Sequence, residues 1–465
     1  MRAIQNFMER YFVPVAAKFG SMKVLIAIRD AFIGTMPATM AGSVAVMINA
    51  IIRDMPSQFI EGYDVSSIPV LAQIVQVNGF VWSGTLAIAG LIFAISWGYN
   101  LSRTFDVDPM PGALVSVAAL VMGIAFAVPA NPETGFEGAW GWLRLSHLGS
   151  AAIFTTMLIG AVAVTVYIIL MKKNITIKLP DSVPPAVSKA FIAIIPATAG
   201  LYVVAILYFV FNQVAPSIVA ALNTPNAPFT ADQGFLVDVV QRVIAQPLLG
   251  LSQGYPAVAI VTFLVSLLWF FGLHGPNVLA PLLDGVWGVA QLSNVTLAGH
   301  QGVEAVNAAI AAGQGEAFAW VRGSFDAYAW FGGSGGTITL IIAIFLFSKR
   351  ADYRAVAKLG VGPGIFNINE PVMFGLPIVL NPIMVIPFVL APLVATTIGY
   401  VATVTGLVNP VTQQVIWVTP PFLLSFLATL DWRAPIVTLV SFAASLLIYV
   451  PFVIAANAQE ETAID

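Results

Sequence analysis

One carboxylate, Glu370, stands in an apolar stretch, with the amide side chains of Asn367 and Asn369 directly before it. Amides and a carboxylate can hydrogen-bond the hydroxyls of a polar solute, and a carboxylate can also accept a proton from one of them. Residues 373–406 are nearly all apolar, which predicts that Glu370 lies at membrane depth. An ionisable group there is a functional-site hypothesis by default, so we interpret the three residues as a binding site.

The backbone around Glu370 is predicted to be broken. Glycines at 364 and 375 and prolines at 371, 377 and 382 interrupt the stretch 364–382. Broken backbone at membrane depth is tolerated only where protein covers it or where it lines a wet cavity. We therefore expect a re-entrant, cavity-lining element. The alternative is a loop outside the bilayer with a solvated glutamate.

Two further motifs carry polar groups next to apolar segments. His274 follows an aromatic run, 269–271, and precedes Gly-Pro-Asn at 275–277. It could donate a hydrogen bond to a solute or cap the carbonyls of its own helix. The glycine-rich run 332–336 lacks the lysine and spacing of a phosphate-binding P-loop. It fits either a close approach of the backbone to a ligand or tight packing of helices.

The composition indicates an all-α polytopic membrane protein. Hydrophobic residues make up 59% of the 465, charged residues 9%, and the mean hydropathy is +0.91. The net charge of −3 argues against a nucleic-acid partner. The chain has no cysteine and only three scattered histidines, so no metal site and no cofactor are predicted. At about 20 residues per span, about ten transmembrane helices are expected. The predicted spans are 24–52, 78–100, 111–129, 148–171, 187–212, 257–273, 337–347, 383–406, 412–430 and 435–456.

The two halves of the chain differ in regularity. Residues 1–231 contain regular apolar segments and are predicted to form a scaffold with oligomer contacts. Residues 232–465 contain the broken segments and are predicted to bind the solute. Basic residues near the N-terminus and between 172 and 189 predict a cytoplasmic N-terminus.

Several segments are predicted to lie outside regular spans. Residues 1–20 and 232–253 suit interfacial amphipathic helices. Residues 278–297 suit a re-entrant hairpin or a weak span, and the small, polar stretch 298–324 is predicted to be a loop.

The stretch 366–382, FNINEPVMFGLPIVLNP, resembles a signature of the enzyme IIC subunits of the bacterial sugar phosphotransferase system, lactose/cellobiose/diacetylchitobiose family. The His-Gly-Pro at 274–276 and the Gly-Gly-Ser-Gly at 332–335 are similar to family segments near the sugar. The resemblance implies ten spans in the bacterial cytoplasmic membrane and a homodimer formed through the N-terminal half. It also implies that the C-terminal half carries the sugar across in elevator transport.

The resemblance further implies that a disaccharide is phosphorylated at its C6 hydroxyl as it enters the cell. Glu370 would accept a hydrogen bond from that hydroxyl and act as general base, and His274 would help to place it. Sugars present apolar faces between rings of hydroxyls, so a site needs flat aromatic surfaces beside hydrogen-bonding groups. The expected substrate-binding residues are Trp269, Asn277, Gly333, Ser334, Gly335, Asn367, Asn369 and Trp417.

The implied phosphoryl donor is a phosphocysteine on enzyme IIB. Because this chain has no cysteine, IIB is expected to be a separate polypeptide, supplied in turn by IIA and the phosphocarrier protein. The disaccharide stays open among cellobiose, diacetylchitobiose and similar β-glycosides. The alternative function is a proton- or ion-coupled secondary transporter in which Glu370 carries the proton.

Overall fold

The computed structural model describes residues 18, 21–54, 56, 60–128, 137–180, 183–223, 234–313, 315–376, 378–379 and 384–464. Within these residues the regular structure is helical apart from one two-residue antiparallel pairing, Ala127–Val128 with Ala139–Trp140. The prediction of an all-α membrane protein is confirmed. The amphipathic helix predicted for residues 1–20 lies almost wholly outside the described residues.

The α-helices of the first part of the described chain are α1 (Lys23–Asn49), α2 (Pro69–Ser83), α3 (Ala89–Thr104), α4 (Pro109–Val121), α5 (Ile153–Lys172), α6 (Pro185–Leu222), α7 (Leu236–Val240) and α8 (Gln246–Ser252). Those that follow are α9 (Tyr255–Phe270), α10 (Gly275–Leu282), α11 (Val289–Gln301), α12 (Val303–Ala311), α13 (Arg322–Tyr328), α14 (Thr337–Phe347), α15 (Ala351–Ile365), α16 (Glu370–Gly375), α17 (Val385–Val404), α18 (Pro421–Thr429) and α19 (Ala434–Ile464). Short π-helical segments cover Ala50–Asp54, Gln241–Ala245 and Leu283–Gly288.

Several helical segments are long and apolar enough to cross a membrane. In the described residues they number six, or seven if Leu236–Ser252 and Tyr255–Phe270, bent by 72°, form one broken span. The helices found at two predicted spans, 111–129 and 337–347, are apolar but shorter; they are Pro109–Val121 and Thr337–Phe347. The count of about ten therefore stays a prediction. The six segments are Lys23–Arg53, Pro69–Thr104, Ser150–Lys172, Val187–Leu222, Val385–Val404 and Ala434–Asn457.

Two sequence predictions are wrong. The predicted span 412–430 contains only the nine-residue helix α18, because Pro420 and Pro421 cannot donate backbone hydrogen bonds and prevent a helix from running through them. The predicted loop 298–324 is partly helical, since α11 extends to Gln301 and α12 follows after Gly302. Its alanines favour a helix although their hydropathy is low.

The segment 278–297 is helical throughout instead of turning back as a hairpin. It runs through α10, the π-helical segment Leu283–Gly288 and α11. The helix is widened over a segment that contains Gly285 and Gly288. Wide turns of this kind frequently occur at functional sites.

The described residues form two compact units. One contains Ser43–Gly79 and Leu249–Asp465, and the other contains Lys23–Gly42 and Phe80–Leu248. These boundaries follow packing, and the functional division at residue 231 stays a prediction.

In the second unit, α3 and α4 pack through small residues. A Cβ atom added to Gly98 would lie 2.2 Å from the carbonyl oxygen of Gly112 and 2.6 Å from Cβ of Ser116. Such close backbone approach is how helices associate in lipid, where burial of apolar surface gives little driving force.

We predict that Gly98→Ala lowers the thermal unfolding temperature of the purified protein in detergent. Alanine is intrinsically better than glycine in a helix by about 1 kcal/mol, but at this position it collides with backbone that cannot rotate away. Overpacking of this kind costs on the order of 1–3 kcal/mol. Gly250→Ala is the matched control, because a Cβ there meets nothing within 4 Å. It should leave the unfolding temperature unchanged or raise it, and equal effects of both changes would contradict the packing argument.

Candidate functional site

The glycine loop, residues 330–336, connects α13 to α14 and is buried. Its four glycines, at 332, 333, 335 and 336, all have positive φ angles, between 69° and 99°. A Cβ at Gly333 would lie 2.8 Å from Cγ of Asn369 and 2.9 Å from the carbonyl oxygen of Asn367. The glycine therefore permits the loop to touch the segment that precedes Glu370.

Asn367 joins three segments of the chain. Its φ angle is 60°, a conformation that asparagine tolerates better than most residues. Its side-chain oxygen accepts a hydrogen bond from the amide of Gly332 (2.9 Å). Its side-chain nitrogen donates to the carbonyl oxygens of Trp417 (2.7 Å) and Thr419 (2.9 Å).

Asn369 adds a second link to the glycine loop. Its side-chain nitrogen donates to the carbonyl oxygen of Ser334 (2.9 Å). Asn367 and Asn369 are 7% and 4% exposed. Both amides predicted to bind the solute are therefore buried in contacts with the protein, and their part in binding stays a prediction.

Glu370 and His274 are the titratable pair of this region. Glu370 is the first residue of α16, and its carboxylate is partly exposed and makes no hydrogen bond to the described residues. His274 lies close enough to interact electrostatically with that carboxylate. The Nδ1 atom of His274 accepts a hydrogen bond from the amide of Asn277 (3.2 Å).

His274 therefore caps the N-terminus of the helix that follows it, α10, rather than the carbonyls of the helix before it. With Nδ1 acting as an acceptor, a neutral imidazole carries its proton on Nε2. Nε2 is then free to donate to another group. The side chain of Asn277 is exposed, and its backbone amide makes the cap.

The predicted aromatic residues differ in accessibility. The Trp269 ring is 3% exposed, and its centroid lies 4.6 Å from that of His274. It belongs to an apolar cluster with Phe331, Val372 and Met373. Trp417 is 44% exposed, and its backbone is attached to Asn367. Hence the buried Trp269 ring packs against His274, whereas the Trp417 ring is accessible to a ligand.

Comparisons with known proteins identify the family of the chain. Residues 29–392 match the family described as Phosphotransferase system, EIIC. A cellobiose-specific EIIC component of Lactococcus lactis subsp. lactis (strain IL1403) is 45% identical over 511 aligned residues, covering 100% of both chains. The chain belongs to the EIIC family of the phosphotransferase system.

Other relatives place this EIIC within the cellobiose/lactose group. An oligo-beta-mannoside-specific EIIC component of Bacillus subtilis (strain 168) is 30% identical, over 96% of this chain and 92% of the relative. The crystal structure of the transporter ChbC, the IIC component from the N,N'-diacetylchitobiose-specific phosphotransferase system, superimposes with a TM-score of 0.81. It is 29% identical, covering 97% of this chain and 98% of ChbC. The family resemblance is confirmed, and the chain is a sugar-specific permease component.

A charged cluster of this EIIC was not predicted from its sequence. Arg322 contacts Asp326 (Nη1 to Oδ2, 2.8 Å) and Asp284 (Nε to Oδ1, 3.4 Å), and it lies over the Trp330 ring, 5.1 Å from its centroid. The cluster connects the π-helical segment 283–288 to the start of the glycine loop. In the sequence, the one sign of this cluster is the acidic residue Asp284 within a weakly apolar segment. Nothing in the sequence shows that its partner is Arg322.

We predict that Asn367→Ala destabilises this EIIC by about 2–4 kcal/mol, because it removes three hydrogen bonds and leaves their backbone partners buried and unpaired. Asn174→Ala is the matched control. Asn174 also has a positive φ angle, 54°, but its side chain is exposed. The control therefore measures backbone strain alone, and the unfolding temperature in detergent should fall more for Asn367→Ala. Equal losses would mean that the amide contacts contribute nothing.

Proposed function

We propose that this EIIC binds a disaccharide of the β-glycoside class and moves it into the cytoplasm coupled to phosphorylation of its C6 hydroxyl by a phosphorylated IIB. The names of the relatives support the substrate class: the Lactococcus protein is described as cellobiose-specific and ChbC as N,N'-diacetylchitobiose-specific. The observation that carries the proposal is the proximity of two side chains with groups available to a ligand: the Glu370 carboxylate makes no hydrogen bond to the described residues, and His274 engages Nδ1 and leaves Nε2.

The chemistry follows from the two side chains. Phosphoryl transfer needs an oxygen nucleophile held in line with the phosphorus and relieved of its proton. The Glu370 carboxylate can accept that proton, and the Nε2 hydrogen of His274 can donate to a neighbouring sugar oxygen. On this proposal the two residues hold the same end of the sugar.

The remaining predicted residues would form the walls of the site. Trp417 would stack on a sugar ring, and the glycine loop would bring its backbone and Ser334 close to the ligand. Asn277 would add an exposed amide. Trp269 would hold the His274 ring in place through the contact between their rings.

The phosphoryl donor would be a separate IIB protein, itself supplied by IIA and the phosphocarrier protein. This chain has no cysteine and cannot carry the phosphocysteine. A basic surface at 349–358, ahead of the Glu370 segment, would face the cytoplasm with the N-terminus and receive the partner. Within it, Arg350 donates to both oxygens of Asp352 (3.1 and 2.5 Å), which lowers the pKa of that carboxyl.

The two halves of the sequence would have different functions. Residues 1–231 would hold a homodimer in the membrane, and residues 232–465 would bind and carry the sugar. The bent pair Leu236–Ser252 and Tyr255–Phe270 supports this view, because discontinuous helices are typical of substrate sites in transporters.

We expect Glu370→Gln to abolish sugar phosphorylation while membrane insertion and the unfolding temperature stay unchanged. Glutamine keeps hydrogen-bonding capacity but cannot accept the proton. The assay uses membrane vesicles supplied with phosphorylated IIB and labelled cellobiose or diacetylchitobiose. Glu304→Gln is the control, since Glu304 is exposed in the first turn of α12. Wild-type rates for Glu370→Gln would remove Glu370 from the chemistry.

Energy coupling separates this proposal from a secondary transporter. We expect sugar uptake by cells to continue when an uncoupler collapses the proton gradient, provided that phosphoenolpyruvate is maintained. Uptake should stop when the gene for IIB is deleted. The reverse pattern would establish proton coupling through Glu370.

Trp417 presents the exposed aromatic ring of the proposed site. Truncating an aromatic binding anchor costs on the order of 2 kcal/mol, so Trp417→Ala should weaken sugar binding to the purified protein, measured by calorimetry. The backbone contact with Asn367 remains, so the unfolding temperature should not change. Trp432→Ala is the control, as this ring is 63% exposed. Unchanged affinity in Trp417→Ala would place the sugar elsewhere.

A further inference from the structure

A cavity of about 470 Å³ opens between α1 and α3, inside the unit formed by Lys23–Gly42 and Phe80–Leu248. One part of its wall is apolar, with Ile33, Ile92 and Ile95. Another part is polar and includes Tyr99 and Arg103. The sugar site proposed above lies in the other unit and makes no use of this cavity.

The charged and the apolar residues of the cavity wall lie at different depths along the helices. Arg103 is the last residue but one of α3, whereas Ile92 lies eleven residues earlier and therefore about 16 Å deeper. Both helices belong to candidate membrane spans. The cavity therefore runs from a charged mouth at the helix ends to a wall of isoleucines, beside which the Ser96 hydroxyl donates to the carbonyl oxygen of Ala31 (2.7 Å).

The mouth of the cavity carries an available positive charge. Arg103 is exposed and has no ion-pair partner among the described residues. The one carboxylate in the cavity wall, Asp30, is already paired with Arg29 (2.7 Å). A ligand at the mouth would therefore meet a net positive field.

Further cations lie at the same end of the unit. Lys23, which contacts Asp106 at 3.4 Å, and Lys172 both lie over the Phe105 ring, 5.3 and 5.5 Å from its centroid. An excess of lysine and arginine marks the cytoplasmic ends of membrane helices, where the lipid leaflet is negatively charged. The charge of the cavity mouth and its position at the helix ends thus both favour an anionic ligand from the membrane.

We propose that this cavity is a binding site for an anionic phospholipid. Its phosphate would sit on the Arg103 guanidinium and the Tyr99 hydroxyl, and one acyl chain would lie along Ile33, Ile92 and Ile95. The cavity is large enough for an acyl chain. Its charged mouth and its isoleucine wall match the charged headgroup and the apolar chain of a phospholipid. The proposal is independent of the sugar chemistry.

The experiment measures the thermal unfolding of the full-length protein after lipid removal in detergent. It is titrated with phosphatidylglycerol, with phosphatidylcholine of the same acyl chains, and with inorganic phosphate. A ligand that binds the folded state raises the unfolding temperature with its concentration. We expect a saturable rise with phosphatidylglycerol and none with the other two. An equal rise with phosphatidylcholine, or a rise with phosphate alone, would overturn the proposal.

Two variants locate the site. Arg103→Gln should weaken the apparent affinity for phosphatidylglycerol about fivefold, whereas Lys178→Gln, which removes an exposed cation outside the cavity, should not. Ile95→Trp fills the apolar part from a residue that is 50% exposed, so it should also reduce the response while keeping Arg103. An unaltered response in both cavity variants would overturn the proposal.

Native mass spectrometry gives a readout that does not depend on variants. The wild-type chain should retain one phosphatidylglycerol after exchange into lipid-free detergent, in preference to phosphatidylcholine. Failure to retain it, or association of two chains through this face without lipid, would also overturn the proposal.

Discussion

The side-chain amide of Asn367 is the contact on which the candidate site depends. A single amide group, 7% exposed, satisfies the backbone of the glycine loop on one side and of residues 417–419 on the other. In a region of broken backbone, unpaired amides and carbonyls would each cost free energy at membrane depth. The amide therefore holds irregular segments together while allowing them to remain irregular. Because Glu370 follows Asn367 by only three residues, these hydrogen bonds also fix its position.

The broken backbone also explains why the same stretch contains both glycine and asparagine. Gly333 gives the space in which the loop approaches the Glu370 segment, and Asn367 occupies a left-handed conformation while making three hydrogen bonds. Neither could be replaced by an ordinary apolar residue. The position of Glu370 is thus supported by residues whose own contacts are with the protein.

Sequence reasoning could select candidate elements for this site because charge and broken hydropathy are local signals. Glu370, His274 and the glycine loop were each recognisable from a few neighbouring residues. It did not predict the contacts that Asn367 and Asn369 make with the protein, because a sequence shows an amide but not its partner. The pairing of Asp284 with Arg322, 38 positions away in the chain, could not be found for the same reason. The failures at 298–324 and 412–430 arose because hydropathy reports burial in lipid, not helix formation.

The π-helical segment 283–288 fixes the length of the chain between two anchors. Towards one end of its helical run, His274 caps α10; towards the other, Asn294 donates to the carbonyls of Phe318 (2.8 Å) and Val411 (3.0 Å). Each residue of a helix turns the next by about 100°, so one residue removed between these anchors would rotate one of them away from its partner. The number of residues in this segment is therefore constrained, as are side chains such as Asp284 that make contacts of their own. Among homologous EIIC proteins we expect insertions and deletions here to be rare.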